Sequence, residues 1–336
     1  MPVTIRDLAR RLGLSITTVS RALDGYDDVA EETRQRVVKA ALESGYVPSY
    51  AARHLRRQRA DAIGYISAAT VPQFHDPFDA SFLTGLCDEA AAQQIDLIVS
   101  SSPPESELER QQYRRWIQSR RVDGIIINRT RLHDWRIEFM AQYHLPFISF
   151  GRSESGGDFS YLVVDDRSGF AQLVKHLVQK GHRRIAYIGA SSNLVIQVEG
   201  YAGYCQGLKQ AGIPLDLKLV VEGDLSEPGG YLAAHQLMTL PSPPTAILGC
   251  NDQTALGVLR AAQELGLNVG EEIAIAGHDG IPETQYTTPP LTTLFQPTYE
   301  IARRLIVKLV KLIEGEETTP IPEVIQPQLL ARASTG

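Results

Sequence analysis

Two short amphipathic segments near the start of the chain are separated by Gly13 and Leu14, and this arrangement constrains the fold strongly. In residues 4–12, Thr4 is a good helix N-cap, and Asp7 stands at the third helical position of a capping box. Gly13 can end this helix in a left-handed conformation. A second helix can begin two residues later, with Ser15 as its cap. The sequence therefore predicts a helix-turn-helix.

The second helix has two contrasting faces. At about 100° per residue, Val19, Ala22 and Leu23 form an apolar face. The opposite face is small and polar and ends in a cation, and it consists of Ile16, Thr17, Ser20 and Arg21. Small residues let a helix approach bases in the major groove, and an arginine can donate two hydrogen bonds to guanine. A two-helix hairpin without DNA function shows the same pattern, so both interpretations stay open on these residues alone.

A third amphipathic helix is predicted for residues 31–44, after a loop that contains Asp27 and Asp28. Ala30 occupies its N-cap position, and alanine is a poor N-cap because its side chain accepts no hydrogen bond. Four residues are predicted to close a three-helix core, namely Val37, Val38, Ala41 and Leu42.

The charge of the chain is unevenly distributed. The whole sequence has a net charge of −6, which argues against a nucleic-acid partner. Residues 1–60, however, contain eleven Lys and Arg against seven Asp and Glu, a net charge of +4 that leaves −10 for the remainder. This asymmetry predicts a small cationic DNA module on a large acidic domain. The arginines at 53, 56, 57 and 59 can contact phosphates, although a solvated basic linker is the alternative.

Three ordered motifs resemble the DNA-binding headpiece of lactose-repressor/galactose-repressor (LacI/GalR) regulators. They are Val-Ser-Arg-Ala-Leu from residue 19, Glu-Glu-Thr-Arg from residue 31, and Gly-Tyr-x-Pro-x-x-x-Ala-Arg-x-Leu from residue 45. The resemblance implies a helix-turn-helix headpiece over residues 1–48 that binds a palindromic operator in double-stranded DNA. The implied DNA contacts within it are Thr4, Ile16, Thr17, Thr18, Ser20 and Arg21.

Residues 49–60 read as a hinge with a short helical pattern, which is too short to be a stable helix in water by itself. In the family, this hinge helix forms when two subunits bind the operator, and it inserts a leucine into the minor groove. Leu55 matches that leucine, and Arg56 follows it. An apolar wedge of this kind unstacks a base step and bends the duplex. A contact between domains is the alternative for Leu55.

Beyond residue 60, short apolar strands alternate with helices, which is typical of parallel, doubly wound sheets. Strands are predicted at 62–67, 96–100, 122–127, 146–150, 184–188, 219–221, 245–248 and 272–276. They fall into two βα halves, and a ligand is expected in the cleft between them at the carboxyl ends of the strands.

This part of the chain is similar to the same family through Lys-Gly-His-Arg-Arg from residue 180, Cys-Asn-Asp from 250, and Gly-His-Asp from 277. The resemblance implies a periplasmic-binding-protein-like domain over residues 61–336. Its first lobe would span about 61–164 and 295–324, and its second lobe about 165–294 and 325–336, with crossings near Val164, Leu294 and Ile325. Nothing after Arg332 resembles the heptad tail of tetrameric relatives, so a homodimer is expected.

Short polar side chains directly after the strands are the candidate ligand contacts. The resemblance assigns this role to Asn128, Asn251, Asp279 and Gln296. For Asn251, capping of the next helix is an equally good interpretation. Phe74 can stack on a sugar face at the rim of the cleft, and Arg152 can either reach the cleft or pair with Asp158.

Gln197 stands where many sugar-responsive relatives have an arginine that holds ligand hydroxyls or a carboxylate. Glutamine carries no charge and cannot form a cationic fork. We therefore predict a neutral sugar or polyol as effector, bound with Gln197 in the site.

Catalysis is not predicted, because the chain contains no nucleophile elbow, phosphate loop or metalloprotease motif. Asp165 and Asp166 read as a helix cap and a first-turn acid. We expect no cofactor and no metal, and three isolated cysteines read as buried thiols. The lack of a signal peptide or an apolar run of roughly 18 residues favours the cytoplasm. A sugar-binding protein of the same fold without DNA function is the alternative.

Overall fold

A computed structural model describes residues 3–23, 26–46, 59–68, 76–155, 157–191, 193–317 and 319–336. The chain divides into two units, Met1–Ala60 and Asp61–Gly336. Leu55, Arg56 and Phe74 lie outside the described residues. Among the residues that are described, no helix has the length and apolar character needed to cross a membrane.

The described residues of the first unit form the helices α1 (Ile5–Leu12), α2 (Ile16–Leu23) and α3 (Glu31–Ser44). The predicted capping box is confirmed at the start of α1. The hydroxyl of Thr4 accepts a hydrogen bond from the amide of Asp7 (3.3 Å), and the Asp7 carboxylate accepts one from the amide of Thr4 (3.1 Å). Two orphan amides are thereby satisfied within the same turn.

The turn between α1 and α2 also follows the sequence prediction. Gly13 has a φ of 66°, a left-handed conformation that glycine adopts without steric cost. Ser15 caps α2 by accepting a hydrogen bond from the amide of Thr18 (3.0 Å). Ala30 is the N-cap of α3 and offers no side-chain hydrogen bond, as predicted.

The core of the first unit corrects two predicted positions on α3. Val38 and Leu42 are 42% and 79% exposed, so the prediction that they close the core is wrong. Each lies one position after a residue that is buried, and one step of about 100° turns it towards solvent. The buried core residues are Leu8, Ala9, Val19, Ala22, Val29, Val37, Ala40 and Ala41.

The second unit is built on two six-stranded sheets, each flanked by helices on both faces. The first sheet contains β1 (Ala62–Ala68), β2 (Asp96–Ser102), β3 (Gly124–Ile127), β4 (Phe147–Phe150), β5 (Tyr161–Val164) and β11 (Pro322–Ile325), in the order β11-β5-β4-β3-β1-β2. Every pairing in it is parallel; for example, Tyr65 lies opposite Val99 of β2. We call this sheet with its helices the first lobe.

The second lobe contains β6 (Ile185–Gly189), β7 (Val220–Glu222), β8 (Ala246–Gly249), β9 (Ala274–Asp279), β10 (Thr292–Phe295) and β12 (Gln328–Leu330), in the order β12-β10-β9-β8-β6-β7. Its pairings are parallel except for the antiparallel pair β10–β12. The structure thus has the predicted architecture of a small helical headpiece followed by two doubly wound sheets. All eight predicted strands are present, whereas β5, β10, β11 and β12 were not predicted.

Helices cover the sheets, and eight of them lie within the described residues. They are α4 (Pro77–Ala92), α5 (Glu107–Gln118), α6 (Trp135–Gln142) and α11 (Thr298–Glu314) in the first lobe, and α7 (Asp166–Gln179), α8 (Val195–Gln210), α9 (Glu227–Met238) and α10 (Asp252–Glu264) in the second. On one face of the first sheet, Phe82 of α4 and Leu305 of α11 pack into the core. On the other face, Trp116 packs so closely over Gly64 that a Cβ there would lie 2.5 Å from the indole ring.

The chain passes from one sheet to the other three times, after Val164, after Phe295 and after Ile325. The carboxyl ends of the parallel strands in the two lobes therefore border one cleft. The cysteines differ from expectation, because only Cys250 is buried, whereas Cys205 is half-buried and Cys87 is exposed.

Candidate functional site

A cleft with about 700 Å³ of empty space lies between the two lobes, at the carboxyl ends of their strands. Its position between the lobes, at the carboxyl ends of parallel strands, is where small-molecule sites of such folds commonly lie. Its polar lining residues are Asp76, Asn128, Arg129, Thr130, Asp166, Asn251, His278, Asp279 and Gln296. Its apolar wall includes Phe78, Phe150, Val163, Leu194, Val195 and Leu225. The rings of Phe78 and Phe150 both line the cleft and lie nearly parallel, with centroids 6.4 Å apart.

Arg129 is neutralised by two carboxylates of the first lobe. Its Nη2 lies 2.9 Å from Oδ2 of Asp79 and 3.3 Å from Oδ2 of Asp76. Burial, reinforced by the charges of Asp79 and Asp279, raises the pKa of Asp76 to about 6. The charge of Arg129 opposes this rise. The positive charge of Arg129 is therefore already balanced by these two carboxylates.

His278 of β9 is held between two carboxylates of the second lobe. Its Nε2 lies 3.1 Å from Oδ1 of Asp166, and its Nδ1 lies 3.2 Å from Oδ1 of Asp279. Burial by itself would lower the pKa of His278, but the two carboxylates outweigh it and raise the pKa to about 10. The imidazole is consequently protonated at neutral pH and balanced by its neighbours.

Two buried polar atoms of the lining lack a hydrogen-bond partner among the described residues and belong to no ion pair. They are Nδ2 of Asn128, a donor, and Oε1 of Gln296, an acceptor. Buried polar groups are normally satisfied, so an unsatisfied pair that lines one cleft indicates a polar ligand. The pair contains a donor and an acceptor, which is what hydroxyl groups require because each can both donate and accept.

Asp279 stands at the end of β9 in a strained conformation. Its φ is 118°, which is rare for any residue other than glycine and is found mainly at functional sites. Its Oδ1 accepts a hydrogen bond from Nε2 of Gln296 (2.6 Å). The carboxylate of Asp252 secures the turn that follows, since it accepts hydrogen bonds from the amides of Gly280 (2.7 Å) and Ile281 (2.9 Å). Asp252 thus supports the site without lining it.

A buried cluster of four charges supports the loop that follows β3. Glu109, Arg131, Asp134 and Arg136 are all buried, and they contact one another as ion pairs. Arg136 also donates a hydrogen bond to the backbone carbonyl of Arg129 (3.1 Å). This cluster fixes the backbone that presents Asn128 and Arg129 to the cleft.

The structure brings four of the predicted ligand residues together at the cleft: Asn128, Asn251, Asp279 and Gln296. Asn251 is also the N-cap of α10, because its Oδ1 accepts a hydrogen bond from the amide of Thr254 (3.0 Å). Its Nδ2 donates to the carbonyl of Leu225 (3.0 Å), so its side chain is already engaged. The alternative interpretation of Asn251 as a cap therefore describes its contacts.

Two predicted ligand residues do not line the cleft. Gln197 points back to its own sheet, where its Oε1 accepts a hydrogen bond from the amide of Ala190 (2.8 Å). Arg152 pairs with Glu199 and not with Asp158. Each side chain is already held by another part of the structure, Gln197 by the backbone at Ala190 and Arg152 by the carboxylate of Glu199.

The sequence prediction missed Asp76, Arg129, Asp166 and His278. Asp165 is the N-cap of α7 as predicted, with Oδ1 accepting from the amide of Ser168 (3.1 Å). Asp166 is the acid in the first turn of α7, as predicted, and its side chain also lines the cleft beside His278. For Arg129, the sequence signal was its position directly after the predicted ligand residue Asn128.

The polar face of α2 is mostly accessible, with one exception. Ile16, Thr17 and Arg21 are exposed, whereas Ser20 is only 7% exposed. Ser20 is thus the least accessible residue of the predicted DNA-contacting face on α2. Arg21 forms an ion pair with Asp28.

Comparison with known proteins agrees with this division. Residues 4–49 match the family model described as bacterial regulatory proteins, lacI family, and residues 174–335 match the periplasmic binding protein-like domain. The HTH-type transcriptional regulator AglR of Rhizobium meliloti is 35% identical over 100% of this chain and 95% of its own length. The repressor CytR of Escherichia coli is 32% identical over 99% of this chain and 96% of its own length.

Two solved structures are similar over the whole length. The lac repressor dimer bound to operator and the anti-inducer ONPF has a TM-score of 0.87 and 26% identity, and the match covers 100% of this chain and 99% of that one. The complex of the regulator CelR with cellobiose has a TM-score of 0.76 and 28% identity, and the match covers 99% of both chains.

Proposed function

The chain belongs to the lacI family of bacterial regulatory proteins and is thus a DNA-binding transcriptional regulator; we propose that it is a cytoplasmic, homodimeric repressor controlled by a neutral sugar or polyol. The observation that carries the effector class is the unsatisfied donor and acceptor in a cleft whose cations are already paired. The alternative, a sugar-binding protein without DNA function, does not account for the helix-turn-helix headpiece.

Charge balance favours a neutral effector. Arg129 and His278 each contact two carboxylates, so neither can offer an uncompensated positive charge to an anion. A sugar phosphate or sugar acid would meet like charge from Asp76, Asp166 and Asp279 and would lose its hydration without compensation. Neutral hydroxyls can donate hydrogen bonds to these carboxylates and accept one from the amide of Asn128.

The apolar wall completes the match to a sugar. A pyranose has polar edges and apolar faces, and the parallel rings of Phe78 and Phe150 can cover one such face. The neutral character therefore rests on this geometry, and no longer on Gln197.

The accessible face of α2 is proposed to enter the major groove, with Ile16, Thr17, Thr18 and Arg21 at the bases. Thr4, at the start of α1, is proposed to contact the DNA backbone, as helix starts commonly do. Two copies related by a twofold axis would read a palindromic operator, with Leu55 and Arg56 acting at its centre.

Effector control is proposed to act through closure of the two lobes. The backbone after β3 already bonds to the start of α8 across the cleft, with the amide of Val195 donating to the carbonyl of Thr130 (3.0 Å) and that of Leu132 to Asn193 (2.8 Å). A ligand that binds the closed arrangement more tightly shifts the population towards it, and this shift changes operator affinity.

Isothermal titration calorimetry on the full chain tests the effector class. The panel pairs neutral mono- and disaccharides with their uronic acid or phosphate counterparts. We expect heat only from neutral members, lost in Asp279→Asn and retained in Asp158→Asn, an exposed control that removes the same charge. Tight binding of the anionic members alone would overturn the neutral-effector proposal.

A further inference from the structure

The side chain of Arg21 is held by contacts within the headpiece. Its Nε donates a hydrogen bond to Oδ1 of Asp28 (3.1 Å), and its Nη2 contacts Oδ2 of the same carboxylate. Its guanidinium also lies over the ring of Tyr26, 5.0 Å from the centroid. A bidentate pair on one side and an aromatic face on another restrict the side chain to a narrow range of orientations.

We propose that Asp28 is a positioning residue that sets how Arg21 reads a base, an inference that rests on the proposed role of Arg21 at guanine. A guanidinium can offer guanine either its Nε–Nη2 side or its Nη1–Nη2 end. Asp28 occupies the Nε–Nη2 side. Only the Nη1–Nη2 end remains for the two acceptors of guanine, O6 and N7.

The segment that carries Asp28 is held firmly enough for this task. The amide of Tyr26 donates to the carbonyl of Arg21 (3.1 Å), and Nη2 of Arg34 donates to the carbonyl of Tyr26 (2.8 Å). Val29, next to Asp28, is buried in the core of the headpiece. The backbone of the segment that carries Asp28 is thereby hydrogen-bonded to both α2 and α3. A base-reading side chain needs a fixed support of this kind.

The negative charge of Asp28 adds a second effect. A carboxylate on a surface that meets DNA repels phosphates whatever the sequence, so it weakens nonspecific binding. At a site with the matching guanine, the oriented Arg21 offsets this penalty. Asp28 therefore widens the gap between specific and nonspecific affinity, which is the quantity that matters for a regulator.

Asp27 provides a matched control. It is exposed, adjacent in sequence and equally charged, and its side chain makes no hydrogen bond or ion pair with the residues that the structure describes. Asp27→Asn and Asp28→Asn therefore remove the same charge from the same loop, but only the second removes a contact to Arg21.

The experiment uses the full-length protein and a pool of random duplexes, from which the preferred palindrome is selected and sequenced. Fluorescence anisotropy then measures affinity for the selected duplex, for a copy with the symmetric guanine pair replaced, and for an unselected duplex. The ratio of the first two affinities is the discrimination at the base read by Arg21. Thermal unfolding of each variant checks that it is folded.

We expect Asp28→Asn to lower this discrimination roughly twofold to fivefold per half-site, the range that an exposed ion pair of up to about 1 kcal/mol allows. Asp27→Asn should leave it unchanged, while both variants bind the unselected duplex more tightly to a similar extent. In an Arg21→Ala background, Asp28→Asn should have no further effect on discrimination.

Equal discrimination in the two Asn variants would overturn the inference, and so would an effect of Asp28→Asn that persists without Arg21. If the unmodified protein selected no palindrome, the proposed function itself would fail. If it selected one but Arg21→Ala kept full discrimination, the failure would lie in the assignment of Arg21.

Discussion

His278 carries a proton that burial alone would remove. Because the carboxylates beside it raise its pKa to about 10, the native state binds this proton more tightly than the unfolded chain does. The resulting stabilisation is fully present below the ordinary histidine pKa of about 6.5 and is lost as the pH rises through about 10.

We therefore expect the difference in unfolding free energy between the unmodified chain and His278→Gln to shrink steadily from pH 7 to pH 10. Urea denaturation at each pH measures it. His133→Gln, a change at an exposed histidine, should give a constant difference over the same interval. A constant difference for His278→Gln would contradict the protonated assignment.

Ala30 offers a second prediction at the scale of one residue. It caps α3 without a side-chain hydrogen bond, whereas a serine hydroxyl there could accept from an amide of the first turn. Ala30→Ser should stabilise the helix by about 0.5–1 kcal/mol. Hydrogen exchange of the amides in the first turn of α3 measures the change, with Ala30→Val as a control that should bring no gain.

Single-residue predictions succeeded where the partner lies within a few positions. The capping box of Thr4 and Asp7 and the cap at Ser15 are fixed by helix geometry, which is local. They failed where the partner is distant in sequence. Arg152 pairs with Glu199, 47 positions away, and Asp166 meets a histidine more than a hundred positions away.

At the scale of elements, α9 and α10 pack more closely than ordinary side chains allow. A Cβ on Gly257 would lie 2.0 Å from the carbonyl oxygen of Glu227, and one on Gly230 would lie 2.1 Å from that of Thr254. The obstructing atoms belong to the backbone, so the helices can accommodate a methyl group only by moving apart.

Gly257→Ala should consequently destabilise the second unit by about 1–3 kcal/mol, even though alanine is the better helix former. Chemical denaturation followed by tryptophan fluorescence measures this loss, because both tryptophans lie in that unit. Arg260→Ala, on an exposed face of the same helix, should cost much less. A stabilised Gly257→Ala would mean that the two helices are not in this contact.

Helices and central strands were predictable because each has its own periodic pattern over many residues. The predicted helix at 31–44 corresponds to α3, and the predicted strand at 62–67 corresponds to β1. The strands β5, β11 and β12 have only three or four residues and lie at or beside sheet edges. Their conformation depends on pairing with distant neighbours, which no local pattern records.

At the scale of the whole molecule, the split of charge between the first 60 residues and the remainder predicted the two-part organisation, and recurrent βα units predicted the two lobes. The cross-lobe contacts were not predictable in this way. Glu199 of α8 receives Arg152 from the first lobe and Arg167 from the second, so one carboxylate joins a contact between lobes to a contact within one lobe.

This arrangement separates closure of the lobes from ligand contact. Arg152→Ala removes only the link between lobes, and it should favour the open arrangement and weaken effector binding by about twofold to fivefold, since half-exposed ion pairs contribute up to about 1 kcal/mol. Arg167→Ala removes the pair within the second lobe and should leave the affinity unchanged. Calorimetry with the neutral sugar that binds best measures both affinities.

Glu199→Gln should weaken effector binding as much as Arg152→Ala does. The double variant should lose no more affinity than either single variant, because both substitutions remove the same ion pair between the lobes. A much larger loss in Arg152→Ala alone would instead place its guanidinium on the ligand.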